Sequence, residues 1–270
     1  MVSCDPNVSF RSQGKCLPYD KSRDLRNAGN PSNRGAWEAI DKLTWNTETS
    51  KADWNTVPAA NLVQYLQHSF KAALPYLEVA GVVSEAAGFS PYFVPAIFLQ
   101  ESGGQVEGHI DGPMQMNPDT TRMLIEKYNV PESTEHAWVE DFFQTYNAHA
   151  PTQFVYAQGS EQDISWLDRT SLPDALILAA LYLHDVASTA PYANFEHVPE
   201  PGQSHLEPAL ILAYNAGPNR AKDWLVETGI QKSRISSQTS KAYLHRVFQG
   251  LMPILQKVGA EHGLNWEATP

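Results

Sequence analysis

The chain has 270 residues, 42% hydrophobic and only 18% charged, which is enough apolar mass for one large or two small packed domains and argues against disorder throughout. Its 19 basic and 30 acidic residues leave a formal charge of -11, so it has no electrostatic basis for gripping nucleic acid or an anionic membrane, and no long-range pull toward an anionic wall polymer. No run approaches the ~20 apolar residues of a membrane span, and the N-terminus lacks the basic start and apolar stretch of a signal peptide.

Residues 1–35 read as an irregular N-terminal arm, polar and without sustained periodicity, and residues 36–260 as one helical domain. The two cysteines, Cys4 and Cys16, both lie in the arm. They fit either a small-loop disulfide, which would contribute about 3 kcal/mol at most and imply an oxidising compartment, or two free thiols. A short helix is expected over Ala36–Trp45. Leu62, Val63, Leu66 and Phe70 give Ala59–Ala73 an amphipathic stripe, and Pro75 opens a helix running to about Ala87. Ser90 as N-cap with Pro91 at the first helical position predicts a helix to Glu101, ended by Gly103 and Gly104. Further helices are expected at Pro118–Tyr128, Pro173–Ser188, Leu206–Asn215, Pro218–Thr228 and Thr239–Val258, with irregular stretches at Ala148–Thr170 and Thr189–Ser204. Long alternating runs are missing, so the fold class is mainly α, with room for a short hairpin near the site.

Glu101 is the most informative residue. Val94, Ile97, Phe98 and Glu101 fall at i, i+3, i+4 and i+7, which puts the carboxylate on an inward-facing apolar stripe. Desolvation there favours the neutral carboxyl and raises its pKa toward the range a general acid needs. A glutamate at a frayed helix end, turned to water, fits the same spacing.

Glu101-Ser102 is followed by Gly112-Pro113-Met114-Gln115-Met116, and about a hundred residues later by Ala213-Tyr214-Asn215-Ala216-Gly217-Pro218. This ordered set resembles the lytic transglycosylases of the soluble (SLT) type, which share a lysozyme-like domain with goose-type lysozymes and carry Glu-Ser, Gly-Leu-Met-Gln and Ala-Tyr-Asn-Ala-Gly. The resemblance covers roughly Phe93–Met252 and implies a lysozyme-like fold. Under it Glu101 is the single catalytic acid and base and Ser102 its usual neighbour. Met114 and Gln115 line the cleft, and Tyr214 and Asn215 face the glutamate from the other wall, with the tyrosine hydroxyl able to hold the carboxyl. Tyr243 matches a late tyrosine-bearing helix. Gly112 would let the backbone approach a sugar ring, Met114 would offer a soft apolar surface, and Gln115 both a donor and an acceptor.

Two departures bear on mechanism. Pro113 replaces the usual leucine, and only ten residues separate Glu101 from Gly112. Asp111 lies in that shortened loop, where goose-type lysozymes place acidic residues that activate water; capping a surface turn is its alternative role.

The implied activity is cleavage of the β-1,4 bond between N-acetylmuramic acid and N-acetylglucosamine in peptidoglycan, giving a 1,6-anhydro product, or a reducing sugar if Asp111 positions water. A chitin-type hydrolase and an inactive glycan-binding protein are the alternatives. No metal or organic cofactor is expected: the histidines show no paired ligand spacing, and phosphate loops and serine elbows are missing. Expected partners are peptidoglycan glycan strands, with an immunity or inhibitor protein if the chain is a toxin. Secretion or a periplasmic location would follow from action on the cell wall.

Overall fold

Helix signals along the sequence come out as a mainly α structure, and two sequence devices account for the sharpest boundaries. The computed structural model describes residues 9–12, 15–18, 57–103, 105–107, 111–195, 206–226 and 229–264. In the N-terminal arm, β1 (Ser9–Ser12) and β2 (Lys15–Pro18) pair antiparallel, with Arg11 opposite Cys16, so the arm expected to be irregular contains a hairpin. Cys4 and the helix expected at Ala36–Trp45 lie outside the described residues.

The helical body comprises α1 (Ala59–Ser69), α2 (Leu77–Ala86), α3 (Phe93–Ser102), α4 (Pro118–Tyr128), α5 (Thr134–His149), α6 (Asp174–Ala187), α7 (Leu206–Ala216), the short α8 (Pro218–Ala221), α9 (Gln238–Leu244) and α10 (Met252–His262). A π-helical segment, His245–Leu251, joins the last two. Helix α4 starts where predicted because the Asn117 side chain accepts the Asp119 N–H at 2.8 Å and Pro118 opens the first turn. Helix α3 starts at Phe93 rather than Pro91, because residues 90–92 form a turn in which the Ser90 carbonyl accepts the Phe93 N–H at 3.0 Å.

Two expectations fail locally. Helix α5 was not anticipated, although Ser133 caps it through the His136 N–H at 3.0 Å and Val139, Phe142, Phe143 and Tyr146 form its buried face. The helix expected over Pro218–Thr228 stops after α8. A 3-10 turn, Lys222–Trp224, leads into a small hairpin of β3 (Leu225–Val226) and β4 (Gly229–Ile230).

Helices α3, α6 and α7 are buried on nearly every side, which is how a helix at the centre of a core reads. Full burial of side chains such as Phe93, Phe98 and Leu178 contributes roughly 1.5–3 kcal/mol each against exposure. Around α3 pack α2, α6, α10 and the π segment. The centre of the core thus fixes the direction in which the end of α3 points.

Candidate active site

Helix α3 ends on Gly103, whose left-handed backbone (φ 55°) no β-carbon strains, and its N–H closes the last turn on the Leu99 carbonyl at 3.1 Å. Val94, Ile97 and Phe98 are fully buried, as their spacing predicts. Glu101, on the same stripe, keeps part of its surface open. Its carboxyl is nevertheless surrounded closely enough that desolvation pushes its pKa up to about 7, against an opposing hydrogen bond from Tyr243.

That bond is the centre of the site: the Tyr243 hydroxyl donates to Glu101 Oε1. Desolvation, the Glu101 charge and the hydrogen bond together raise the Tyr243 pKa well above its ordinary value, so the phenol remains a donor. Tyr243 sits two residues before the π segment, which packs against α3.

Tyr214 has a different role from the one the resemblance implies. Its hydroxyl donates to the Met114 carbonyl at 2.7 Å, not to the carboxyl, and its ring meets Tyr182 edge-on at 5.5 Å. Burial and then the nearby Glu101 charge raise its pKa well above the usual value, which puts it within electrostatic reach of the carboxyl. Asn215 accepts the Ser240 hydroxyl at 2.9 Å, tying the end of α7 to α9 one helical turn before Tyr243. Ser240 was missed from the sequence, although its i, i+3 spacing from Tyr243 puts both on one face.

Between α3 and α4, Gly112–Gln115 is a β-turn closed by the Gln115 N–H on the Gly112 carbonyl at 3.0 Å. Pro113 occupies its second position, where a fixed φ is favoured, which explains the departure from leucine. Gly112 has φ 74°, and a β-carbon there would lie 1.8 Å from the Arg169 carbonyl oxygen. Its freedom therefore serves close packing against Arg169 rather than approach to a sugar.

Of the side chains expected to meet a ligand here, two are turned inward. Met114 is fully buried and Ser102 nearly so, which puts both side chains in the core. Gln115 is exposed, with φ 53°, and its amide N–H folds back to the Gly112 carbonyl at 3.1 Å. Asp111 faces Arg169, whose guanidinium lies 3.5 Å from its carboxylate and 3.4 Å from the Met116 carbonyl. The groups that shift Glu101 do not include Asp111. The structure thus brings Glu101, Tyr214, Asn215 and Tyr243 into one cluster and gives Asp111 to the neighbouring turn. Among the described residues no group of three or more His, Cys, Asp and Glu side chains could hold a metal ion. No described helix is long and apolar enough to cross a membrane.

No protein-family model, no curated protein and no solved structure matches the chain.

Proposed function

We propose that this protein has a lysozyme-like fold and is a lytic transglycosylase, cleaving the β-1,4 bond between N-acetylmuramic acid and N-acetylglucosamine in peptidoglycan. The observation that carries the reading is a partly open Glu101 carboxyl with a pKa near 7, tethered by a tyrosine that stays protonated. A carboxyl titrating near neutrality can both give a proton and take one back.

In the proposed cycle Glu101 protonates the glycosidic oxygen, the bond to C1 of the muramic acid unit breaks, and positive charge develops there in an oxocarbenium-like state. The substrate's acetamido carbonyl assists at C1. Glu101, now a carboxylate, removes the proton of the 6-hydroxyl, whose oxygen closes on C1 to give the 1,6-anhydro sugar and regenerates the acid. Tyr243 holds Oε1 through both steps and leaves Oε2 for the substrate.

Hydrolysis would call on a second carboxylate beside the first to activate water, and its charge would itself raise the Glu101 pKa. Burial, opposed by the Tyr243 hydrogen bond, accounts for the Glu101 shift, and Asp111 is engaged by Arg169, which favours the anhydro product. Action on the wall means a secreted or periplasmic enzyme whose macromolecular partner is the glycan strand. Digestion of purified peptidoglycan with wild type and with Glu101→Gln, followed by mass spectrometry of the muropeptides, tests this. Anhydro products lost in the variant are expected; reducing-end products would assign hydrolysis, and no product from either protein would sink the enzyme reading.

A further inference from the structure

The segment 150–173 has only short 3-10 turns, yet side chains pin it along its length. Tyr146 donates to the Phe154 carbonyl at 2.9 Å, and Asn147 brackets the Tyr156 backbone, accepting its N–H at 3.0 Å. Asn129 accepts the Ile164 N–H at 2.9 Å and donates to Asp163 at 3.0 Å. The Tyr156 hydroxyl donates to Asp174 at 2.7 Å. A long irregular segment held this firmly is a common carrier of function.

Within it lies an open surface depression of about 530 Å³, lined by Tyr156, Gln158, Ser160, Asp163 and Trp166 among others. That volume falls in the range of small-ligand sites, roughly 300–1,000 Å³. Trp166 is 38% exposed, uncommon for so large an apolar side chain among the described residues. Its orientation is fixed: the indole N–H donates to the Ser160 carbonyl at 3.1 Å, and the ring leans on Tyr156 at 4.7 Å and Phe143 at 6.1 Å. With its own donor satisfied, the indole offers a rigid electron-rich face, suited to the electropositive axial C–H groups of a pyranose. Beside it, hydrogen bonds from Ser165 and Asn129 hold the Asp163 carboxylate below its ordinary pKa, so it remains an acceptor for hydroxyl groups. Gln158 adds an amide donor and acceptor on the same wall.

A chain of contacts leads from this depression toward Glu101. Trp166 is three residues from Arg169, a reach of at most about 11 Å of chain. The Arg169 backbone lies against Gly112, in the turn whose Met114 carbonyl holds Tyr214.

We propose that the Trp166 depression is a second saccharide-binding site, taking one N-acetylhexosamine unit of a strand that runs from it past the Gly112–Gln115 turn toward Glu101. The choice of a glycan rests on the function proposed above. The test uses the full chain with Glu101→Gln, so that ligand is not consumed, and chitohexaose as the probe. Binding is followed by calorimetry and by the ¹⁵N-indole spectrum, in which the Trp166 signal is assigned with Trp166→Phe. The expected result is a saturable shift of the Trp166 signal and at least a tenfold loss of affinity in Trp166→Ala, with a smaller loss in Asp163→Asn. A Trp166 signal unmoved at saturation, one moved by propylammonium and not by the saccharide, or an unchanged affinity in Trp166→Ala overturns the proposal. The shift is read on the Glu101→Gln chain with Trp166 in place, so it does not depend on Trp166→Ala folding. Peptidoglycan cleavage is scored separately: a saturable Trp166 shift without cleavage would sustain this site and sink the glycosidase, and cleavage with an unmoved Trp166 would do the reverse.

Discussion

The two ends of helix α3 carry the same chemistry to different purposes. Before its start, Ser84 donates to the Ser90 carbonyl at 2.5 Å and accepts the Val94 N–H at 3.2 Å, while Glu207 from α7 accepts the Ser90 N–H at 2.9 Å. At its far end Glu101 accepts from Tyr243. Both carboxyls are pushed from an ordinary 4.5 to about 7, and in both desolvation is the main cause. Glu207, however, is fully buried and bonds to backbone, whereas Glu101 is partly open and bonds to a side chain on a different helix. A raised pKa alone therefore does not mark a catalytic acid; access and a tethering donor separate the group that can meet a substrate from the one that anchors the helix.

The largest difference between the two glutamates is expected in turnover. Glu101→Gln should lower the rate of peptidoglycan cleavage by about 10²–10⁴-fold, the usual contribution of a general acid and base, while Glu207→Gln should leave most of it. Equal losses in rates measured side by side would erase the distinction. Next is Tyr243→Phe, which removes a hydrogen bond to a charged group and should cost roughly tenfold or more. Because that bond lowers the Glu101 pKa, its loss should move the alkaline limb of the pH–rate profile to higher pH; a downward move would contradict the arrangement.

Stability sharpens the same contrast. For both glutamates the folded pKa is raised, so the folded chain holds more protons between pH 4.5 and about 7. Their contribution to stability is complete below about pH 4.5 and is lost as pH rises through about 7. The melting temperature should fall over that interval. Glu207→Gln, which keeps an acceptor for the Ser90 N–H and cannot ionise, should flatten the fall and melt higher than wild type at pH 8. A steeper fall would show that Glu207 is stabilised as a carboxylate. The smallest effect is expected of Asp111→Asn: steady-state kinetics should change little, and a loss approaching that of Glu101→Gln would move water activation to Asp111.

The same helix shows how far the sequence carries. Three apolar residues and Glu101 on one stripe, with glycines to end it, are enough to place a desolvated carboxyl at the end of a buried helix. Its partner is not legible in that way, since Tyr243 lies 142 residues away and periodicity is silent about which distant side chain fills a space. The motif pointed to the Tyr214 hydroxyl, but the turn at Gly112–Gln115 brings the Met114 carbonyl within its reach instead. Arg169 under Gly112 left no signal, because the close approach depends on tertiary packing. Helix α5 was readable from its Ser133 cap and its aromatic face. The π turns inside 238–262 were not, since one long apolar periodicity runs through them.

The Glu101 carboxyl, and not merely some buried carboxyl, is poised near neutral pH. The most direct measurement is a ¹³C NMR titration of the glutamate side-chain carboxyls in wild type, Glu207→Gln and Tyr243→Phe. Glu101 and Glu207 should both titrate near 7, the Glu207 signal disappearing in Glu207→Gln and the Glu101 signal moving to higher pH in Tyr243→Phe. A Glu101 signal titrating near 4.5, or one indifferent to Tyr243, would contradict it.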